Sequence, residues 1–224
     1  ISEYTIDAVH GAEFPNRVLR EAGWLTVRSG PFGETLDTFA SRAFAVCDHQ
    51  VAHVYVADPG DLATVRSRLE ILDGVETVLD AEGMAARGLR HARSGDLVLV
   101  ARPGSWFASP YWLDDARAPD FAPTVDIHRK PGYDPCELFF DPSLPAPKLR
   151  AGLRLAQKKL GFRYRMDVVA LAASLVRGSH GRTGGDPSRG PVCIGPPSVV
   201  PPEGVTALQV HDCVLHMLGL EEDR

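Results

Sequence analysis

The sequence predicts an α/β fold in which a mixed sheet is flanked by helices. Short runs rich in Val, Ala and aromatic residues alternate with runs whose apolar residues recur at helical spacing. The 224 residues are enough for one large core, or for one core with a subdomain. Prolines and aromatics are concentrated between residues 103 and 147, which predicts long ordered loops there.

The first half of the chain carries most of the predicted elements. The run "NRVLREAGWL", residues 16–25, is predicted as a helix that ends at Gly23. Residues 41–58 are rich in Val, Ala, Phe and Tyr and are predicted as a strand with a bend near Asp48. The later elements are predicted as a helix over 61–75, a strand over 75–79, a small helix near 81–89 and a strand over 94–107.

The two ends of the chain give fewer signals. Residues 191–195, "PVCIG", are predicted as a short buried strand, and residues 205–220 as a strand or turn followed by a helix that closes at Gly219. The chain starts with "ISEYTIDAV", without an initiator Met and as though inside a strand. We therefore expect part of the native protein to lie upstream.

Composition narrows the function classes. The formal net charge is -5 and the basic residues are scattered, which argues against binding to a nucleic-acid polymer. The four cysteines are widely spaced and form no CxxC pair, so a reducing cytoplasm is the expected location. No apolar run reaches the roughly 18 residues of a membrane span, so no membrane partner is expected. Nothing in the sequence predicts the oligomeric state.

His180 is the most distinctive candidate residue. It stands in "SLVRGSHGR", residues 174–182, with Gly178 before it and Gly181 after it. Glycine lets the backbone bend sharply and approach other groups closely. The histidine is therefore either presented as a ligand for a metal or a phosphate, or it is the tip of an ordinary turn.

A second candidate set lies in "TVDIHRK", residues 124–130. In an extended chain Asp126, His128 and Lys130 face one way. A carboxylate, an imidazole and an ammonium on one face are able to hold a metal or an anionic substrate. The alternative is a polar face of an edge strand with an internal ion pair.

A third set lies in "CDHQVAH", residues 47–53. In a regular strand Asp48 and His49 point to opposite faces and cannot meet one ion, so a structural role is favoured for that pair. His49 and His53 share a face and are able to line a cleft. Asp212 and His216 have helical i, i+4 spacing, but a solvated helix face is the favoured interpretation.

Several common catalytic motifs are absent from the sequence. It contains no GxSxG elbow, Walker loop, HExxH, or GxGxxG after a predicted strand. A serine-triad hydrolase and a dinucleotide-dependent oxidoreductase therefore lose most of their support.

Several segments together resemble a known family. They are "NRVLREAGWL", "RSGDLVLVA", the "GSHG" around His180, "GPVCIGPPSVVPPEG" and the closing "VHDCVLHMLGL". In this order they resemble the C-terminal part of alkaline phosphatase superfamily proteins. The branch they resemble contains the nucleotide pyrophosphatases and type I phosphodiesterases and the phosphonoacetate hydrolases.

The resemblance implies a fold and a cofactor. Residues 1–40 and 120–224 would belong to an alkaline-phosphatase-like core, and residues 41–119 would form an inserted α+β cap subdomain. In that family two divalent metals, usually zinc, serve a Thr or Ser nucleophile. The late histidine of Gly-x-His-Gly is a metal ligand and corresponds to His180, whereas the nucleophile would precede Ile1.

The resemblance fails at one pair of residues. The family's Asp-His dyad corresponds by position to Glu3 and Tyr4, and a phenol ligates zinc poorly unless it is ionised. The resemblance thus implies that the second metal site is altered or lost, unless side chains from 48–49 or 126–128 complete it.

Two functions follow from these observations. The first is a metal-dependent hydrolase of small phosphodiester or pyrophosphate substrates of nucleotide type, and the second is a non-catalytic member that binds a phosphorylated ligand or partner. Phosphoryl transfer within one substrate is a third, weaker interpretation. In the first, the substrate would contact Lys130, His53, Tyr4 and the loop aromatic Trp106, with Tyr111 and Trp112 beside it.

Overall fold

Ten short strands and five helices occur in the part of the chain that the structure describes. The structure is a computed structural model and describes residues 1–126, 130, 132, 139–182, 188 and 190–220. The strands are β1 (Asp7–Ala8), β2 (Gly11–Glu13), β3 (Val27–Gly30), β4 (Gly33–Leu36), β5 (Ala43–Asp48), β6 (Val51–Val56), β7 (Val75–Leu79), β8 (Leu97–Ala101), β9 (Ser105–Phe107) and β10 (Gly178–Ser179). The helices are α1 (Pro15–Glu21), α2 (Leu62–Glu70), α3 (Ala81–Ala86), α4 (Pro147–Lys159) and α5 (Val210–Leu218).

The largest sheet has four strands in the order β5-β6-β8-β7. All of its neighbouring strands are antiparallel. Along β6 the buried residues alternate, as expected for side chains that point to opposite faces. One face forms the main core with α1 and α2, through residues such as Val54, Leu69 and Leu99, and the other packs on Met84 of α3.

The remaining strands form three two-stranded sheets. β1 pairs with β10 and β3 with β4 in antiparallel fashion, whereas β2 and β9 are parallel. Sheets and helices together confirm the mixed α/β class. An alkaline-phosphatase-like arrangement with an inserted cap over 41–119 stays a prediction.

The segment 41–58 forms a hairpin and not the single bent strand that we predicted. β5 and β6 are antiparallel neighbours, with Asp48 opposite Val51. The two residues between them make the turn, and His49 has a φ of 55°. Two-residue hairpin turns favour positive φ because that backbone twist matches the twist of the strands. The reversal ends the shared face that we had assigned to His49 and His53.

Three other sequence-based expectations differ from the structure. Residues 191–195 form no strand, and Ile194 among them is highly exposed. Residues 1–6 also contain no strand. The helix α4 was not predicted, because its leucines lie on an exposed face and its sequence follows a proline-rich stretch.

The chain divides into two compact units. One contains Asp7–Arg182, with β1 to β10 and α1 to α4. The other contains Ile1–Ile6 and Thr183–Arg224, and within it the backbone N–H of Ser2 donates to the carbonyl of Val192 at 2.8 Å. Among the described residues, no helix combines the length and the apolar character that crossing a membrane requires.

Candidate functional site

The imidazoles of His49 and His180 lie against each other in the Asp7–Arg182 unit. Their ring centroids are 4.0 Å apart and the rings are tilted by 36°. His49 Nδ1 is 3.5 Å from the hydroxyl oxygen of Ser179, a side chain that is almost fully buried. We call His49, Ser179 and His180 the histidine cluster. The hairpin turn supplies one ring and the segment after β10 supplies the other.

Gln50 holds the two halves of the histidine cluster together. Its backbone N–H donates to the carbonyl of His180 at 2.9 Å, and its side-chain oxygen accepts from the backbone N–H of Arg182 at 3.3 Å. Its side-chain nitrogen donates to the carbonyl of Ser105 at 3.2 Å. The residue is only 1% exposed. Because a buried amide is costly without partners, these bonds favour this one arrangement of the turn.

Gly181 explains why a glycine follows the candidate histidine. Its φ is +106°, a conformation that side-chain-bearing residues rarely adopt. A β-carbon at this position would make only ordinary van der Waals contacts, such as 3.7 Å to the backbone nitrogen of Gln50, so the backbone conformation alone favours glycine. The glycine thus lets the chain turn away directly after His180 while that residue stays bonded to the hairpin.

Charged groups surround the histidine cluster on two sides. Asp48 Oδ1 lies 4.0 Å from His49 Nε2, but the Asp48 side chain is 80% exposed and therefore well screened. Arg182 Nε donates to Glu76 Oε2 at 2.8 Å. That hydrogen bond, more than any other interaction, lowers the pKa of Glu76 and raises the pKa of Arg182. The guanidinium is thereby neutralised by a partner within the protein.

The histidine cluster contains two imidazoles, a side-chain type that is able to ligate a metal. Imidazole nitrogen is a common zinc ligand, and structural or catalytic zinc requires at least three protein ligands. Among the described residues no group of three His, Cys, Asp or Glu side chains is placed to hold one ion. The described part of the chain therefore forms no complete metal centre.

The other predicted ligand segment does not keep its predicted geometry. Asp126 is exposed, whereas Lys130 is buried and donates from Nζ to the carbonyls of Ala122 at 2.9 Å and Thr124 at 2.7 Å. The two side chains thus have different environments. The predicted ligand His128 lies outside the described residues. Lys130 stabilises the backbone of its own loop, so the expected contact with a substrate finds no support in its position.

His53 also has a partner within the fold. Its Nδ1 accepts from the backbone N–H of Gly95 at 3.1 Å, so the ring connects β6 to the loop that precedes β8. It lies four residues beyond His49 on the second strand of the hairpin. We expected His49 and His53 to line one cleft because we took them to lie on one continuous strand. The turn at His49 interrupts that strand.

The loop aromatics are part of the core. Trp106 is 4% exposed and packs with Val9 and Val176. Tyr111 and Trp112 are fully buried in the main core, and burial raises the pKa of Tyr111 to about 12. Rings in these positions have no free face for a base, so our expectation that they line a substrate pocket does not fit their burial.

Glu3 and Tyr4 belong to the other unit. Both residues are exposed there, in a segment without helix or strand. Their assignment as counterparts of the family's metal-binding dyad stays a prediction.

Comparison with known proteins identifies the family. The family model for type I phosphodiesterase / nucleotide pyrophosphatase matches residues 1–134, which is more than half of the chain. The chain belongs to this family. The match confirms the resemblance to this branch of proteins, and the assignment of the chain to the C-terminal part of such a protein stays a prediction. A search of curated proteins gave no significant match.

Solved structures similar to this family member include phosphonoacetate hydrolase from Sinorhizobium meliloti 1021. The complex with phosphonoformate is 21% identical, with a TM-score of 0.34, and the match covers 46% of this chain and 26% of that chain. The complex with phosphonoacetate is 21% identical, with a TM-score of 0.35, and covers 52% of this chain and 28% of that chain. The chain thus spans about a quarter of the length of these hydrolases.

Sequence reasoning missed two residues of the histidine cluster environment. Gln50 and Ser179 are both buried and polar, yet neither carried a motif. The available signal was their position, since each one is adjacent in sequence to a candidate histidine. Only the packing of the hairpin against β10 shows that they support the same site.

Proposed function

We propose that the protein containing this chain is a metal-dependent hydrolase of small phosphodiester or pyrophosphate substrates, and that His49 and His180 are two of its metal ligands. Membership of the type I phosphodiesterase / nucleotide pyrophosphatase family supports the reaction class. The observation that carries the ligand assignment is the 4.0 Å approach of the two imidazoles. Nucleotide-like substrates and a cytoplasmic location are part of this proposal.

The surroundings of His49 fit a ligand whose second nitrogen is held in place. Ligating histidines usually donate their other ring N–H to an oxygen, which fixes the tautomer and the ring orientation. Ser179 Oγ lies at 3.5 Å from His49 Nδ1 and is able to accept such a bond. His49 Nε2 then carries the lone pair that a metal requires.

Metal analysis of single variants tests the ligand assignment. We would measure zinc, manganese and iron in the purified protein and in His49→Ala and His180→Ala after dialysis without chelator. Each variant is expected to lose at least one equivalent of metal. His211→Ala is the matched control, because its ring is 70% exposed on α5 and bonds only Asp212 among the described contacts. Equal metal content in all four proteins would show that the assignment is wrong.

Turnover is measured in parallel. Bis(4-nitrophenyl) phosphate reports phosphodiester cleavage by the release of nitrophenolate. Both histidine variants are expected to lose at least about 100-fold in kcat/KM, since removing only a hydrogen-bond partner of a metal ligand typically costs about 10- to 100-fold. Circular dichroism checks that the variants are folded. Bound metal without any turnover would favour a non-catalytic family member that binds a phosphorylated ligand.

A further inference from the structure

A groove lies between α2, the start of α3 and the loop that precedes β8. Its cavity volume is about 840 Å³, a size that suits a small organic ligand. It lies on a different part of the sheet from the histidine cluster and contains none of the cluster's residues. We call it the α2–α3 groove. Neither the family nor the proposed function assigns it a role.

The inner lining of the α2–α3 groove is apolar. Leu62 contributes from α2, Met84 from α3 and Leu97 from the first position of β8. Met84 and Leu97 are nearly inaccessible to water, so they belong to the rigid core and not to a mobile surface. Ala63 and Ala81 also line the groove, and their small side chains leave space within it. The apolar area open to a ligand is therefore supplied mainly by Leu62 and by the exposed Ala63 and Ala81, and a ligand that covers it removes this area from water.

The loop that forms one wall is fixed by hydrogen bonds. Ser94 Oγ donates to the carbonyl of Leu89 at 2.7 Å, and the hydroxyl of Tyr55 donates to the carbonyl of Arg93 at 3.0 Å. Gly95 allows the loop to approach β6, since a β-carbon there would lie 2.6 Å from the carbonyl oxygen of Val54. The wall is therefore preformed, which lowers the entropic cost of binding.

The carboxylates of the α2–α3 groove already have partners. Asp80 accepts from the backbone N–H of Gly83 at 2.9 Å and from Arg66 at 2.6 Å. Asp96 accepts from the backbone N–H of Val56 at 2.8 Å. The hydrogen bond from Gly83 is the main reason why the pKa of Asp80 is lowered. These two acids are thus occupied in holding the turn and the strand in place.

The loop itself is rich in basic residues. Residues 83–95 contain three arginines and one histidine and no acidic residue. Arg90 lines the groove, is exposed, and forms no ion pair with any residue that the structure describes. His91 lies beside it. The groove lining as a whole carries two arginines, Arg66 and Arg90, and two aspartates, Asp80 and Asp96, so the positive charge available to a ligand is local to Arg90.

We propose that the α2–α3 groove binds a small organic anion, with an apolar body against Leu62 and Ala63 and a phosphate, phosphonate or carboxylate group at Arg90. A guanidinium binds such planar or tetrahedral oxyanions through paired hydrogen bonds. The site is separate from the histidine cluster, so its ligand binds whether or not that cluster holds a metal.

Calorimetry with three probes tests the two parts of this ligand. Phenylphosphonate carries both the body and the charge and is not a phosphate ester, methylphosphonate lacks the ring, and benzyl alcohol lacks the charge. We expect phenylphosphonate to bind at least tenfold more tightly than either of the others. His180→Ala is expected to bind it unchanged, which separates this result from the proposed hydrolase site.

Three variants locate the site. Arg90→Gln is expected to weaken phenylphosphonate at least about tenfold, since a hydrogen bond to a charged group is lost. Ala63→Trp, on the exposed side of α2, is expected to fill the groove and abolish binding. Arg93→Gln is the matched control on the same loop, because Arg93 does not line the groove, and it should change binding less than twofold.

Three results would overturn the proposal. They are phenylphosphonate binding no better than methylphosphonate, an unchanged affinity in Ala63→Trp, or an equal loss in Arg90→Gln and Arg93→Gln. The last would show general attraction to a basic loop.

Discussion

At the scale of single residues, Glu34 shows how a buried charge is stabilised. Its carboxylate is almost fully buried and accepts from Arg20 at 2.5 and 3.0 Å and from Arg117 at 2.7 Å. The hydrogen bonds from Arg20 are the largest reason why the pKa of Glu34 is lowered. The carboxylate joins α1, β4 and the segment after β9.

Glu34→Gln is expected to destabilise the protein by about 3 kcal/mol at pH 7, because two guanidinium groups lose their buried partner. The free energy of unfolding in urea measures the change. Glu70→Gln is the control, since Glu70 forms a half-exposed pair with Arg66 and such pairs contribute about 0.5 kcal/mol. Equal effects of the two substitutions would contradict the assignment.

The pH dependence of the destabilisation by Glu34→Gln follows from the direction in which the pKa of Glu34 is shifted. A lowered pKa in the folded state means that the carboxylate stabilises the fold above its ordinary value of 4.5. This contribution is lost as the pH falls through the folded-state pKa. The difference in unfolding free energy between the protein and Glu34→Gln should therefore be largest at pH 7 and shrink below pH 4.5. A difference that stays constant down to pH 3 would show that charge is not its source.

At the scale of elements, Asn16 attaches α1 to the edge of the main sheet. Its side-chain oxygen accepts from the backbone N–H of Ala45 at 2.7 Å, and its side-chain nitrogen donates to the carbonyl of Ala45 at 2.8 Å. β5 lies at the edge of its sheet and has no neighbouring strand on this side. The Asn16 amide binds the backbone groups of Ala45 that such a strand would otherwise bind. Covering an edge in this way satisfies buried backbone groups.

Asn16→Ala is expected to lower the unfolding free energy by about 2 kcal/mol, because both backbone groups of Ala45 lose their partner. Faster hydrogen exchange of the Ala45 amide, measured by NMR, would locate the effect. Glu21→Ala is the control on the same helix, at an exposed position. Unchanged exchange at Ala45 would show that the Asn16 side chain does not protect this amide.

Element-scale features were the part best predicted from the sequence. The helices α1, α2 and α3, the strand β7, and the stop of α5 at Gly219, which has a φ of 65°, all follow from apolar spacing and from cap residues. The hairpin at His49 was missed because its turn contains no glycine and its two strands have one composition. Local sequence patterns carry local structure, but they did not show where that strand reverses.

At the scale of the whole molecule, the buried apolar residues are confined to one unit. Every buried apolar side chain of the described residues falls between Val9 and Val176. The unit that contains Asp7–Arg182 therefore holds the cores. The other unit contains α5, none of whose residues is buried.

A chain that ends at Arg182 is expected to keep the fold and the urea midpoint of the longer chain, because it retains every buried apolar side chain that the structure describes. Denaturant unfolding, followed by tryptophan fluorescence, measures the midpoint. A chain that ends at Ala172 is the control, since it lacks Val176 and the strand β10, and its midpoint should fall. The same loss in both chains would show that residues 183–224 are required for the core.

The sequence by itself determined the family and the α/β class and singled out His180 as a candidate, because motifs and apolar periodicity are local properties of a chain. The tertiary structure alone brought His49 to within 4.0 Å of His180, since the two residues are 131 positions apart and meet only when the hairpin docks beside β10. It also placed Lys130 and Trp106 in buried environments. Burial and long-range contacts depend on which elements pack together, and that packing is determined by the core as a whole.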